Sequence, residues 1–408
     1  MKKHQQTLRG LCIVAGIALF TSLLAACGGG EKPGGDAVTG DTLTGSYTFQ
    51  QQVFSMCMLS NISAHYNGKT DSAGSIQDST INAVTNVLGD AGVQSLIGTW
   101  KVVWGPCVET NSDGRTARNT MFIAQKAGTD SIVVAIAGTD PSSAYDWFAE
   151  DFDVVPVFWN KDIFDGMISA ATSDGLGRLK KMTSNGQTAQ QALAGIVNNM
   201  KGGQIYVTGH SLGGALSPAY ALHLADSMQY WTSYSPGIHC LAVAGASPGD
   251  RLFADYYNKK LGATTTRVWN MRDVIPHGYA EYMLAELPTL YPADSVAPMP
   301  QAMDSLVAVI EKAVKLINYT QLTPAVNDSF MSLIYTTDSI KNRSALMPAD
   351  TSYMGQMLFQ HIPAYGVRFG TFTFQQAVQR VLNLPDPFFT QSAILVPVVD
   401  NGNTIQPF

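Results

Sequence analysis

Residues 204–216 read Gln-Ile-Tyr-Val-Thr-Gly-His-Ser-Leu-Gly-Gly-Ala-Leu, with Gly209 and Gly213 placed two residues to either side of Ser211. A serine that attacks a carbonyl carbon must project its oxygen from a tight strand-to-helix turn, where flanking side chains would collide with backbone; glycine removes those collisions. The chemistry this serves is acyl transfer through a covalent acyl-enzyme. The flanks fit. Ile205 to Thr208 have the β-branched and aromatic character of a strand, and beyond Gly214 the residues Leu216, Tyr220, Leu222 and Leu224 fall at packing positions of a helix.

A serine hydroxyl is a poor nucleophile at neutral pH, so a histidine must take its proton and a carboxylate must hold that histidine in the right tautomer. Where a G-x-S-x-G elbow carries the serine, the order along the chain is Ser, then Asp or Glu, then His. Only His223, His239, His277 and His361 follow Ser211. Asp273 comes just after the strand-like TTRVWNM, where Pro276 breaks regularity, and is the expected acid. Its rival Asp250, in ASPGD, is better explained as the cap of the helix opened by RLFADYY. His277 is only four residues past Asp273, too near to fold back onto both it and Ser211. His361, in LFQHIPAYG, belongs to a separate late loop and is the expected base. His210 cannot reach around its own backbone to serve Ser211. Negative charge developing on the attacked carbonyl oxygen needs fixed donors. The N–H of Leu212 is one. Thr139, into which SIVVAIAG runs, supplies the other through its N–H, with its hydroxyl in support.

These residues need a scaffold. TWKVVW, TMFIAQ, SIVVAIAG, QIYVTG, HCLAVAGA and TTRVWNM read as strands, and helical patterns separate several of them. The expectation is an α/β fold with a largely parallel central sheet flanked by helices. The 408 residues suffice for a sizeable core, and 46% hydrophobic with 14% charged residues is an ordinary globular composition. Between Tyr279 and about Pro348 no strand signal appears, and a helical insertion is expected at 283–348. Within it DSLVAVIEKAVKLIN places Leu306, Val309, Ile310, Ala313, Leu316 and Ile317 near helical spacing, as a helix that covers the sheet in preference to one that caps a membrane. The terminal FFTQSAILVPVVDN reads as one more strand, confined to an edge by Pro397.

The N-terminus carries an address. Lys2, Lys3 and Arg9 precede an apolar run from Leu11 to Leu24, which is the pattern of a secretory signal over residues 1–26. It ends in Leu24-Ala25-Ala26-Cys27, which resembles the bacterial lipobox, in which the cysteine is lipidated and becomes the new N-terminus. The Gly-rich stretch 27–45 then reads as a tether, and 46–408 as the folded domain. The expected location is the cell envelope, on the outer membrane because Gly28, not aspartate, follows Cys27. The formal charge of −6 becomes −9 once Lys2, Lys3 and Arg9 leave, which removes any electrostatic case for nucleic acid. In an oxidising compartment Cys57 and Cys107 are the expected disulfide, with Cys240, at the head of the apolar CLAVAGA, a buried small hydrophobe.

GHSLGGAL, AGASPGDRLFADYY and RVWNMRDVIPHG resemble, in order, the elbow, a following loop and the aspartate segment of the class 3, fungal-type triacylglycerol lipases, over about residues 95–285. The tyrosine four residues after His361, Tyr365, is similar to that family's pattern, although the Asp273 to His361 interval is longer than in fungal members. Ile136-Ala137-Gly138-Thr139 stands where the family has Phe-Arg-Gly-Thr or Ser, without the arginine, and Pro218 is unusual within the helix after the elbow. The resemblance implies an α/β-hydrolase fold with Thr139 at the oxyanion hole. It also implies a lid helix in SSAYDWFAEDFDVVPV with Trp147 and Phe148 as its apolar face. The function implied is hydrolysis of acylglycerol esters with neither metal nor cofactor, by a protein held at the membrane through Cys27. A phospholipase or short-chain esterase on the same triad is the alternative, and a non-catalytic surface-binding lipoprotein the reading from another class.

Overall fold

A computed structural model describes residues 44–69, 73–112, 114–138, 154–160, 163–334, 353–384, 398–400 and 403–405. The main sheet has seven strands: β1 (Trp100–Thr110), β2 (Ala117–Lys126), β3 (Ser131–Ile136), β4 (Gln204–His210), β5 (Gly237–Val243), β6 (Thr265–Asn270) and β7 (Val326–Phe330). They lie side by side in chain order. β1, β2 and β3 pair antiparallel, and from β3 to β7 every pairing is parallel.

Side chains alternate across a strand, and both faces of this sheet are covered, so the central strands read as unbroken apolar runs. In β3, Ile132, Val134 and Ile136 enter one core cluster while Val133 and Ala135 enter the other. The first cluster is closed by α3 (Ala170–Lys181), α4 (Ala189–Met200), α5 (Leu212–Asp226) and α6 (Arg251–Leu261). The second is closed by α1 (Phe49–Ser60), α2 (Ala73–Gly89), α9 (Pro363–Phe369) and α10 (Phe372–Leu382). The largely parallel sheet flanked by helices is therefore present as expected.

Three expectations are corrected. Cys57 and Cys107 do not pair: both are free, and they belong to different clusters, Cys57 on α1 and Cys107 on β1 with its Sγ 3.3 Å from the Thr183 carbonyl. Burial pushes the Cys57 thiol up to about 12 and the Cys107 thiol up to about 11, so neither is a reactive thiolate. Cys240 is buried and free as expected. The second correction concerns 283–348, which is not helical throughout. Val326–Phe330 adds β7 to the parallel sheet, pairing Thr266 with Val326 through Asn270 with Phe330. Its sequence, VNDSF, gave no signal because an edge strand with exposed Val326 needs little apolar patterning.

The third correction is the face of the insertion helix. α7 (Gln301–Val314) buries Met303, Val307, Ile310 and Val314, whereas Val309 and Leu316 of the expected face are exposed. Its partners are Val274, Ile275, Leu284 and Leu287, in a third cluster beside the Asp273 loop, so it covers that loop and not the sheet. In the terminal segment, Val398–Asp400 pairs with Asn403–Ile405 as a separate hairpin. The rest of that expected strand, with Pro397, lies outside the described residues. Among the described residues no helix is long and apolar enough to cross a membrane. Cys27 also lies outside them.

Candidate active site

β4 ends at His210 and α5 begins at Leu212, so Ser211 alone makes the turn, with φ 62° and ψ −123°. A side-chain-bearing residue rarely holds that backbone; here packing imposes it. The Ser211 N–H donates to the Val243 carbonyl of β5, and a Cβ on Gly213 would meet the Ile136 carbonyl at 2.3 Å, which is why the turn can press against β3 only with glycine there. α5 is apolar all round and buried nearly throughout; Leu216, Tyr220, Leu222 and Leu224 are all inside, and the helix runs unbroken through Pro218. As the first residue of α5, Leu212 has an N–H with no acceptor within the helix.

The other two residues arrive from opposite directions. Asp273 lies just past β6, fully buried. His361 is the last residue of α8 (Tyr353–His361), a helix end where a loop was expected. The His361 Nε2 is 2.8 Å from Ser211 Oγ, and its Nδ1 is 2.8 and 3.0 Å from Asp273 Oδ2 and Oδ1. A carboxylate only accepts, so Nδ1 carries the proton and Nε2 is left free to take the one on serine. Asp273 is held in turn: the Tyr365 hydroxyl donates to Oδ2 at 2.8 Å and the Ile275 N–H to Oδ1 at 3.0 Å. Tyr365 itself accepts from the Asn270 N–H at 2.9 Å. Asn270 also donates to the Gln360 carbonyl and side chain, tying the end of β6 to α8 one residue before the base.

His210 and His277 have other work. The His210 Nε2 donates to the His361 carbonyl at 2.7 Å, and the two rings lie 4.6 Å apart, so His210 steadies the backbone of the base while being unable to serve Ser211. His277 Nδ1 donates to the Asp273 carbonyl at 2.6 Å and its Nε2 lies 3.6 Å from Glu286 Oε2, so both ring nitrogens have partners other than the serine. Asp250 caps α6, its Oδ1 accepting from the Phe253 N–H at 2.9 Å, as its sequence context indicates. The role of His210 has no sequence signal beyond its place in the elbow. The part played by Tyr365 is visible only as a spacing. Thr139, Trp147 and Phe148 lie outside the described residues, which stop at Gly138 and resume at Val154.

Three histidines couple this packing to pH. Burial holds His210 well below the ordinary histidine value, with His361 adding to the effect; burial also lowers His277. His223 is pushed down to about 4 by burial, reinforced by Lys180. On acidification the unfolded chain takes up these protons before the folded one does, so stability is level above the ordinary histidine pKa and falls as pH drops through it. Urea midpoints are expected to fall steadily from about pH 7 to about pH 5. A flat profile over that window would contradict the buried neutral state of these rings.

Over residues 133–283, from β3 to ten residues past Asp273, the chain matches the model of the class 3 lipase family, described as Lipase (class 3). His361 lies beyond the matched segment. The solved structure of M37 lipase is similar over 83% of this chain and 100% of that one, at 27% identity and a TM-score of 0.68. A curated relative, Phospholipase A1-II 3 of Oryza sativa subsp. japonica, is 29% identical over 188 residues, 41% of this chain. The chain spans only 43% of that relative's length. The fold is thus the α/β-hydrolase fold, and the segment that carries the elbow and Asp273 is similar to the class 3 lipases.

Proposed function

We propose that the protein is a serine carboxylester hydrolase that cleaves acylglycerol esters and is tethered to the cell envelope through a lipid on Cys27. The single observation that carries the hydrolase assignment is the unbroken chain of contacts from Ser211 Oγ through His361 to Asp273, each link 2.8 Å. Ser211 Oγ bonds to the ester carbonyl carbon while its proton passes to His361 Nε2. The resulting oxyanion is held by the Leu212 N–H, with the Thr139 N–H as the expected second donor. Collapse breaks the bond to the alkoxy oxygen, which leaves as an alcohol with the proton from His361. Water then repeats the sequence on the acyl-enzyme and regenerates Ser211. Asp273 stays ionised and stabilises the imidazolium formed in each half.

The likeness to M37 lipase supports acylglycerols as substrates, and the likeness to Phospholipase A1-II 3 motivates a second reading, with the acyl ester of a phospholipid as substrate. A panel of triglycerides of increasing chain length beside a diacyl phosphatidylcholine separates the two, run with fluorophosphonate labelling of Ser211. Labelling with release of fatty acid from glycerides is expected. Release from the phospholipid alone would move the assignment to the second reading, and absence of labelling would favour a lipoprotein that only binds. The anchor is tested separately: mass spectrometry of the mature chain is expected to find a diacylglyceryl group on Cys27, and a chain cleaved elsewhere would remove the anchor.

A further inference from the structure

Asp273 and His361 are 88 positions apart in the chain and come from different elements, yet their side chains meet at 2.8 Å. The residue that joins those elements is Asn270, the last of β6 and fully buried. On the acid's side, its carbonyl accepts from the Asp273 N–H at 2.9 Å and its Oδ1 accepts from the Arg272 N–H at 3.1 Å. The turn that presents the carboxylate is thus closed twice on one residue. The Asn270 N–H donates to the Tyr365 hydroxyl, which in turn donates to Asp273 Oδ2.

The base stands at the end of α8, where the last carbonyls of a helix have no partner within it. Side chains take the final two: that of His361 is held by His210, and that of Gln360 by Asn270 Nδ2 at 3.0 Å. The same NH2 group donates to Gln360 Oε1 at 2.8 Å, an oxygen to which the Ser332 hydroxyl also donates. Gln360 Nε2 donates to the Leu333 carbonyl at 2.9 Å, which fixes the glutamine in turn. The Asn270 amide has one orientation, because its oxygen faces the N–H groups of Arg272 and Ser332 and a flip would set its NH2 against both. Gln360 and Ser332 are buried as well, so these bonds are shielded from water.

We propose that Asn270 is a positioning residue for the acid and base: its oxygen shapes the turn that presents Asp273, and its NH2 group holds the end of the helix that presents His361. One side chain therefore sets the distance at which the two meet. The inference rests on the hydrolase function proposed above. Asn270 is fully buried and acts only through its neighbours, so loosening it misplaces the base without touching the bound ester. A displacement of about 1 Å at the reacting groups can cost on the order of a hundredfold in the chemical step, which lowers kcat and spares KM.

The test uses the full-length chain, Asn270→Asp and Gln360→Leu, with active sites counted by exhaustive fluorophosphonate labelling and turnover measured on p-nitrophenyl butyrate. Asn270→Asp keeps the oxygen that accepts from Arg272 and Ser332 but sets a second acceptor against the Gln360 carbonyl, where the donor was. Gln360→Leu removes only the side-chain arm and decides alone should Asn270→Asp not fold. Per labelled site, kcat is expected to fall roughly tenfold to a hundredfold in the first and about threefold to tenfold in the second, with KM within about twofold in both. The far-downfield proton resonance of His361 Nδ1–H, which reports its bond to Asp273, is expected to shift or broaden in both, a change that lost stability alone does not produce in the folded fraction. If the variants that fold keep kcat per labelled site within about twofold of the parent and the resonance in its place, Asn270 is merely structural and the proposal is overturned. The same holds if labelled fraction and melting temperature drop while kcat per labelled site does not. A parent chain that neither labels nor hydrolyses would sink the hydrolase assignment and this inference with it, whereas an active parent with unaffected variants sinks the inference alone.

Discussion

Ser211→Ala is expected to lower kcat for ester hydrolysis by on the order of a millionfold, His361→Ala by a similar factor, and the double variant by no more than either. The reason is that nucleophile and base act as one unit. With no hydroxyl at 211 there is no proton for His361 to take; with no imidazole at 361, the hydroxyl keeps its proton. Either loss leaves only the oxyanion donors and binding, so the second substitution removes nothing that still functions. The geometry makes the pairing specific, since His361 Nε2 is the ring nitrogen 2.8 Å from Ser211 Oγ, while His210 and His277 each spend a nitrogen on a backbone carbonyl. Measurements on purified variants, with contaminating host esterase excluded by labelling, check this. Near-parental activity in His361→Ala would place the base elsewhere, and effects that multiply in the double variant would show that the two residues act separately.

How much of this could be read in the residues depends on how local the determinant is. The elbow is local: β-branched residues, then glycines at fixed offsets around Ser211, then a buried helix, all set by contacts within a few residues and the strands alongside. Asp273 was legible because a strand and a proline bracket it, and His361 because chain order leaves few histidines after it. The bond of Asn270 to Gln360 is not local, and an asparagine at the end of a strand has an ordinary turn-forming role that hides any other. β7 was missed because an edge strand paired on one side tolerates polar residues, and VNDSF has one large buried apolar side chain, Phe330. The disulfide expectation failed for a related reason. Pairing Cys57 with Cys107 follows only from counting cysteines for an expected oxidising compartment, whereas the face of the sheet each occupies depends on packing that counting does not capture.

Asp273→Asn is the second large effect expected, a fall of about ten-thousandfold in kcat with the fold and Ser211 labelling geometry kept. The surroundings of the carboxylate decide which way the new amide must point. The backbone N–H of Ile275 donates to Oδ1 at 3.0 Å and cannot move, so the amide oxygen of asparagine has to take that position. The NH2 group is then forced into the place of Oδ2, the oxygen that lies nearer to His361 Nδ1, at 2.8 Å. Two donors cannot face each other there. His361 therefore changes tautomer, with Nδ1 accepting from asparagine and Nε2 now carrying the proton and pointing it at Ser211, where it can no longer act as a base. Tyr365→Phe provides the contrast. It removes one donor to Oδ2 and the acceptor for the Asn270 N–H but leaves a carboxylate opposite Nδ1, so it is expected to cost about 1–3 kcal/mol of stability and much less activity than Asp273→Asn. Comparable kcat values for the two variants, measured per labelled site, would mean that Asp273 positions the ring without setting its tautomer.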